Sequence, residues 1–487
     1  MQNMKLWRTL AIALGVSLAT AGAAQAQTWT SLINQPTFTT DTALMLTDGT
    51  VMMHQYSSTS WWRLTPDNTG SYLNGTWAVT APMPGSYKPL YFASAVLPDG
   101  RVIVEGGEYN NGIQNETNLG AIYDPAANTW ATVTAPSGWS SIGDSPGIVL
   151  ASGTFLLGQN SSTKTALLNA TTLTWTTTGT GKKDNFSEEG WVLLPDQTIL
   201  TTDTARAPNA EKYVPRTGKW VSAANTIVNL TDPGSLEVGP MLLMPTTGQV
   251  FATGGKASGS GHTSLYTVPS TPSAPGFWTP GPDFPNGNDM ADAPMAILPD
   301  GNALCDTSPG VFNSPVTFYE FNGTSFVQVP SPASNGSTSY QGRMVVIPTG
   351  QILFSVADGT TKNVALYDAA GTYNPAWAPG ITTVPSTLTH GVTYTISGIQ
   401  FNGLDAGANY GDDAQMSSGY PLVRITNTGT GHVFYAKTHN HSTMAVATGS
   451  RTVSTKFDVP TGIETGASTI EVVANGIPSP AVSVSVN

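Results

Sequence analysis

Short apolar runs recur along this chain, each ended by a Pro, Asp, Ser, Thr or Gly turn and followed at once by a second apolar run. The copies are Ala43-Leu-Met-Leu-Thr-Asp-Gly49, Ala95-Val-Leu-Pro-Asp-Gly100, Gly147-Ile-Val-Leu-Ala-Ser-Gly153 and Trp191-Val-Leu-Leu-Pro-Asp-Gln197. They continue as Met241-Leu-Leu-Met-Pro-Thr-Thr-Gly248, Met295-Ala-Ile-Leu-Pro-Asp-Gly301 and Met344-Val-Val-Ile-Pro-Thr-Gly350. Two apolar runs around such a turn predict a tight β-hairpin. Successive turns lie 51, 53, 44, 51, 53 and 49 residues apart. So regular a spacing argues for seven copies of one unit.

Each unit has a second half, an aromatic-bearing run, a polar turn and usually another aromatic. Ile122-Tyr-Asp-Pro125 with Thr129-Trp130, Lys212-Tyr-Val-Pro215 with Lys219-Trp220, and Leu366-Tyr-Asp368 with Trp377 are examples. Diglycines follow the second run at Gly106-Gly107 and Gly254-Gly255. Four strands per unit result, and a β-repeat of this length is the kelch type of propeller blade. The first, most apolar strand of each is expected nearest the axis. Thr28-Trp-Thr-Ser-Leu-Ile-Asn-Gln-Pro36 resembles a fourth strand with no blade before it. It is therefore expected to complete the last blade and leave no open edge. Beyond Pro385 the repeat stops, and alternating runs such as Val392-Thr-Tyr-Thr-Ile-Ser397 and Ala481-Val-Ser-Val-Ser-Val486 read as a sandwich. The expected architecture is all-β: a seven-bladed kelch-type propeller over residues 27–386, then an immunoglobulin-like sandwich over 387–487.

Composition narrows the setting. Lys5 and Arg8, the apolar stretch Leu10 to Ala23, and Ala24-Gln25-Ala26 form an export leader over residues 1–26. No later stretch is long and apolar enough to span a bilayer as a helix. A secreted or periplasmic protein, acting as a monomer, is expected. The formal net charge of −12 disfavours nucleic acid, which needs clustered Lys and Arg. Cys305 is the only cysteine, so an intrachain disulfide and a thiolate zinc site are excluded.

The positions just before the innermost strands crowd around the mouth of the axial channel. In five of the seven units they carry acids: Asp41, Asp144, Glu188 with Glu189, Glu237, and Asp292. Carboxylates held together repel, and a shared proton or a bound cation relieves them. Oxygen ligation suits Ca²⁺, Mg²⁺ or Mn²⁺, whereas adding His439 and His441 would admit Zn²⁺ or Cu²⁺. A carboxylate pair also suits acid–base work on a sugar, and Tyr91, Tyr109, Trp61, Trp62 and Tyr340 could stack on sugar faces. Asp144, Glu189, Asp292 and Tyr340 are the catalytic candidates. Asp41, Glu188, Glu237 and Gln341 are the binding candidates. Tyr340, His439 and His441 are the candidate metal ligands. No Gly-x-Ser-x-Gly, phosphate-loop or His-Glu-x-x-His motif is present.

A propeller of this kind followed by such a sandwich resembles the galactose oxidase and glyoxal oxidase family. That resemblance implies a copper site made of a Tyr-His pair opening the last blade, a Thr-His from the tail, and a second tyrosine cross-linked to a cysteine. It also implies oxidation of alcohols or aldehydes with release of peroxide. Tyr340 stands at the family's tyrosine, and His439 in Lys437-Thr-His-Asn-His-Ser442 matches the tail ligand. Gln341 replaces the neighbouring histidine. The cysteine position falls near Ala93 and the cross-linked tyrosine near Asp144. A register shifted by one blade offers Tyr91 and Tyr109, but puts Thr42 at the cysteine. Three functions stay open: a propeller that binds or acts on carbohydrate or another small molecule at an acidic axial pocket without copper-radical chemistry, a copper oxidase with an altered ligand set, and a non-catalytic envelope or adhesion protein.

Overall fold

The computed structural model describes residues 27–414 and 416–487, so the leader expected over residues 1–26 lies outside the described residues. Each repeated hairpin forms as its turn chemistry directs. The turn glycines Gly49, Gly100, Gly153, Gly301 and Gly350 sit at φ between 80° and 87°, a conformation a Cβ disfavours. Gln197 takes that place in the fourth unit at φ 67°.

The units are seven antiparallel sheets, or blades, in a ring. Their innermost strands are Thr40–Met45, Ala93–Val96, Gly147–Val149, Val192–Leu193, Val238–Leu243, Met295–Ile297 and Gly342–Val346. These strands are buried almost throughout, because both of their faces pack against neighbouring blades. Leu44, Leu46, Val96, Val345 and Ile347 belong to one such inter-blade core. Burying each of these aliphatic chains contributes roughly 1.5–3 kcal/mol. Outer strands carry the aromatics, as where Trp130 pairs with Tyr123 across the second blade.

The seventh blade takes its outer strand from the other end of the chain. Thr28–Ser31 runs antiparallel to Val364–Asp368, with Trp29 opposite Tyr367. Trp29 also packs edge-on against Phe318 and Phe354, which ties blade six to blade seven. The ring closes as the unpaired first strand implied.

The tail is a β-sandwich made of one curled sheet wrapped around Ile396, Phe401, Val423, Ile425, Phe457 and Val472. Gly380–Thr383 already pairs with Thr393–Ile399 of this sheet. The sandwich docks on the turn end of the blades: the Thr438 amide donates to the Thr47 carbonyl (3.0 Å), Asn440 to Pro98 (2.7 Å) and Met444 to Ala151 (3.0 Å). From there the loop between Ile399 and Leu422 enters the ring along its axis. Its strand Ala408–Asn409 pairs with innermost strand Met295–Ile297, and the Asn409 amide donates to the Trp191 and Met241 carbonyls at 2.9 and 3.0 Å. Gly411 permits this approach, since a Cβ there would lie 2.6 Å from the Asp292 Cα.

Candidate functional site

At the opposite end of the ring, where the innermost strands begin, a cavity of about 350 Å³ opens on the axis. Asp144, Glu188, Glu237 and Asp292 reach it from blades three to six, each from the few residues ahead of its strand. The axial loop adds Asp412, and Glu108 comes from just ahead of strand Tyr109–Asn110 in an additional small sheet on blade two. Tyr91, Tyr109, Phe312, Tyr340 and Tyr410 form the rest of the wall. Tyr91, Glu188 and Asp292 hold left-handed backbone at φ 50°, 58° and 49°. Each such non-glycine residue costs on the order of 1–3 kcal/mol and clusters at functional sites. Here the strain turns side chains of three blades towards one point.

The carboxylates form two overlapping groups. One oxygen each from Glu188, Glu237 and Asp292 lie within 4.8 Å of one another, and so do oxygens of Asp144, Glu188 and Asp412. Asn160 donates its amide to Asp144 and, at 3.1 Å, to Glu116. Burial pushes Asp144 and Asp292 well above the ordinary carboxylate range, and neighbouring carboxylates push further. Burial, then Glu188, raises Glu237 to about 8; burial and then Glu116 raise Glu108 to about 7. Arg343 is the buried cation beside them. Its guanidinium stacks 4.2 Å from the Tyr410 ring centre and donates to the Tyr340 and Gly342 carbonyls at 2.8 Å. The Tyr410 hydroxyl donates to the same Tyr340 carbonyl. Tyr340 is thereby fixed with its ring 5.1 Å from Phe312 and 6.4 Å from Tyr91.

The sequence candidates divide. Asp144, Glu188, Glu237, Asp292 and Tyr340 meet in the cavity, and Tyr91 and Tyr109 join them. Glu189 does not. The left-handed turn at Glu188 sends the next side chain into blade four, where Glu189 binds Lys182 Nζ at 2.8 Å. Asp41 is buried against His54 Nδ1 at 2.8 Å, with Arg343 3.8 Å away. Gln341 folds back to cap its own short turn, Ser339–Gln341, rather than lining the cavity. His439 and His441 belong to the docking end, a full innermost strand away, which is roughly 15–20 Å. There His439 pairs with Asp458 at 3.1 Å and His441 with Thr455 Oγ1 at 2.8 Å. Glu108, Phe312, Tyr410 and Asp412 escaped sequence reading. The cue for Asp412 was available: a loop of over twenty residues with glycines and adjacent acids is unusual unless it has a role.

No family model matches the chain, and no curated relative matches it. Solved structures do. A fungal alcohol oxidase of the AA5 family in complex with copper aligns at 13% identity over 95% of this chain and 100% of its own, with a TM-score of 0.53. A streptogramin B lyase aligns at 11% identity over 72% of this chain and 99% of its own, TM-score 0.48. The virginiamycin B lyase of Staphylococcus aureus with quinupristin aligns at 10% identity over 70% and 99%, TM-score 0.48. The first of these likenesses is one of fold.

Copper is tested against the donors themselves. Among the described residues the cavity wall offers carboxylates and phenols, and no imidazole or thiol. Cys305 is buried in blade six among Met295, Ala303 and Phe321, its thiol pushed up by burial. The ligand set implied by the family resemblance is therefore not assembled around Tyr340, and this donor set is harder than copper prefers.

Proposed function

We propose that the protein is a galactose-oxidase-like propeller that binds or acts on a carbohydrate or related polyol in its acidic axial cavity, without copper-radical chemistry. The observation that carries this reading is the cavity itself: about 350 Å³, floored by carboxylates and walled by aromatic rings. That volume falls within the range of about 300–1,000 Å³ typical of small-molecule sites. Vicinal hydroxyls donate well to carboxylate oxygens, and the rings of Tyr91, Tyr109, Phe312 and Tyr340 offer faces to the C–H side of a sugar. The density of acids disfavours uronates and sulfated glycans and favours neutral or amino sugars. In the same reading the blades are of the kelch type over residues 27–386, and residues 387–487 are immunoglobulin-like. Residues 1–26 direct export, and the mature protein works as a monomer.

A glycan array with the mature protein tests the proposal. Binding to neutral or amino sugars, lost in Tyr91→Ala combined with Asp144→Asn, is expected. An array silent for every glycan refutes it. Peroxide release from copper-loaded protein with alcohols or sugars would replace it with the oxidase reading.

A further inference from the structure

Two acids of the cavity, Glu237 and Asp292, carry buried oxygens with no donor, and the neighbouring Glu188 accepts from the Ser187 hydroxyl at 3.4 Å. Asp144, by contrast, receives the Asn160 amide, and Glu108 receives the Gln114 amide at 2.7 Å. Glu237 is only 8% exposed and lines the cavity, yet its Oε2 is buried with no donor. Asp292 Oδ1 is likewise buried without a donor. Arg343 has already committed donors to two backbone carbonyls, and Lys182 is enclosed in a separate cluster with Glu189, Asp203 and Glu211. That second cluster carries its own cation. Among the described residues the axial triad has none of its own.

We propose that Glu188, Glu237 and Asp292 hold one hard divalent cation of the Ca²⁺ class on the floor of the axial cavity. Two oxygens on one Ca²⁺ ion, each about 2.4 Å from it, are at most about 4.8 Å apart. The three carboxylates already satisfy that limit. Every donor is a carboxylate oxygen, the chemistry hard cations prefer over zinc or copper. The left-handed backbone at Glu188 and Asp292 holds two of the three ligands in place. Asp412, within 4.8 Å of Glu188, is positioned to join from the axial loop and so to couple the cation to the tail. All three residues line the cavity, so vicinal hydroxyls of a polyol bound there would be placed to complete the coordination. The inference rests on the cavity being the binding site, and its test uses no sugar, so its failure and the failure of the carbohydrate reading are separate results.

The experiment is calorimetric titration of CaCl₂, with MgCl₂ and MnCl₂ in parallel, into chelator-treated mature protein, alongside thermal unfolding with and without each ion. One Ca²⁺ per chain and a higher unfolding temperature are expected. The pair Glu237→Gln and Asp292→Asn should weaken binding at least 100-fold. Because it removes mutual repulsion, this variant should unfold no lower than the ion-free wild type, which keeps the comparison free of a folding defect. Asp203→Asn, in the Lys182 cluster, should leave Ca²⁺ affinity unchanged. Absence of heat and of any thermal shift with all three ions overturns the proposal, as does undiminished binding in the double variant. In either case the triad shares a proton instead.

Discussion

Replacing Lys182 by Met removes the buried ammonium that three carboxylates of blade four share. The Lys182 ammonium is fully buried and lies 2.8 Å from Glu189, 2.8 Å from Glu211 and 3.5 Å from Asp203. It also faces the rings of Phe186 at 5.0 Å and Trp220 at 5.6 Å. Glu211 keeps the amides of Lys183 and Asp184, and Glu189 keeps the Thr201 hydroxyl. None of these donors neutralises a charge. Breaking a buried ion pair from one side costs about 3–5 kcal/mol, because the partner is left uncompensated. The sign with pH follows from Asp203, which burial raises to about 7 even with Lys182 opposing it. A carboxyl whose folded pKa exceeds its unfolded one loses stability as pH rises between the two values. Without Lys182 the carboxyls should rise further, so protons stand in for the ammonium at low pH. The expected loss is thus about 3–5 kcal/mol at pH 8, shrinking at pH 5. Denaturant unfolding followed by tryptophan fluorescence reads it directly, since Trp191 and Trp220 sit 5.7 Å apart beside the cluster. Adding Glu189→Gln to Lys182→Met should restore part of the loss. A loss below about 1 kcal/mol at pH 8, the scale of an exposed pair, would refute the reasoning. So would an equal loss at both pH values, which would point to packing of the lysine stem instead of its charge.

Two further outcomes follow from the tail. His441 is held to a pKa of about 3 by burial and then by His439, whereas the unfolded imidazole titrates near 6.5. Its contribution is complete above pH 6.5 and is lost as pH falls towards 3; at pH 5 that is about 2 kcal/mol. His441→Phe should flatten the decline in stability between pH 7.5 and 5 by that amount, and an unchanged slope in denaturant titrations would contradict it. Gly411→Ala places a methyl 2.6 Å from the Asp292 Cα, which is overpacking that costs about 1–3 kcal/mol. Lower thermal stability and faster proteolysis of the axial loop should appear together. Wild-type behaviour in both would mean that the loop does not run beside Asp292.

The ring was legible because its signal repeats. Seven hairpin turns at near-constant spacing leave one arrangement, and acids ahead of successive innermost strands must converge on the axis. Neighbouring positions were harder. Glu188 and Glu189 are equivalent by spacing, and only the left-handed backbone at Glu188 decides which one faces the cavity. Gln341 stood among the binding candidates, but its side chain satisfies its own turn. The histidines failed for a different reason. Their motif locates a strand of the sandwich, Val433–His439, but which end of the ring that strand meets is set by docking that no local pattern encodes. The residues that do arrive from the tail lie in a stretch with no periodicity, where only loop length gave a hint.

The strand exchange that closes the seventh blade has a consequence for when the protein can finish folding. Thr28–Ser31 pairs with Val364–Asp368 across more than 330 residues of chain, so the seventh blade is complete only when both segments are in place. Without that pairing, Val364–Asp368 would be a bare edge of the seventh blade. The axial loop, from beyond the seventh blade, adds Asp412 to a floor that the blades supply. Completion of the ring therefore needs both ends of the propeller at once.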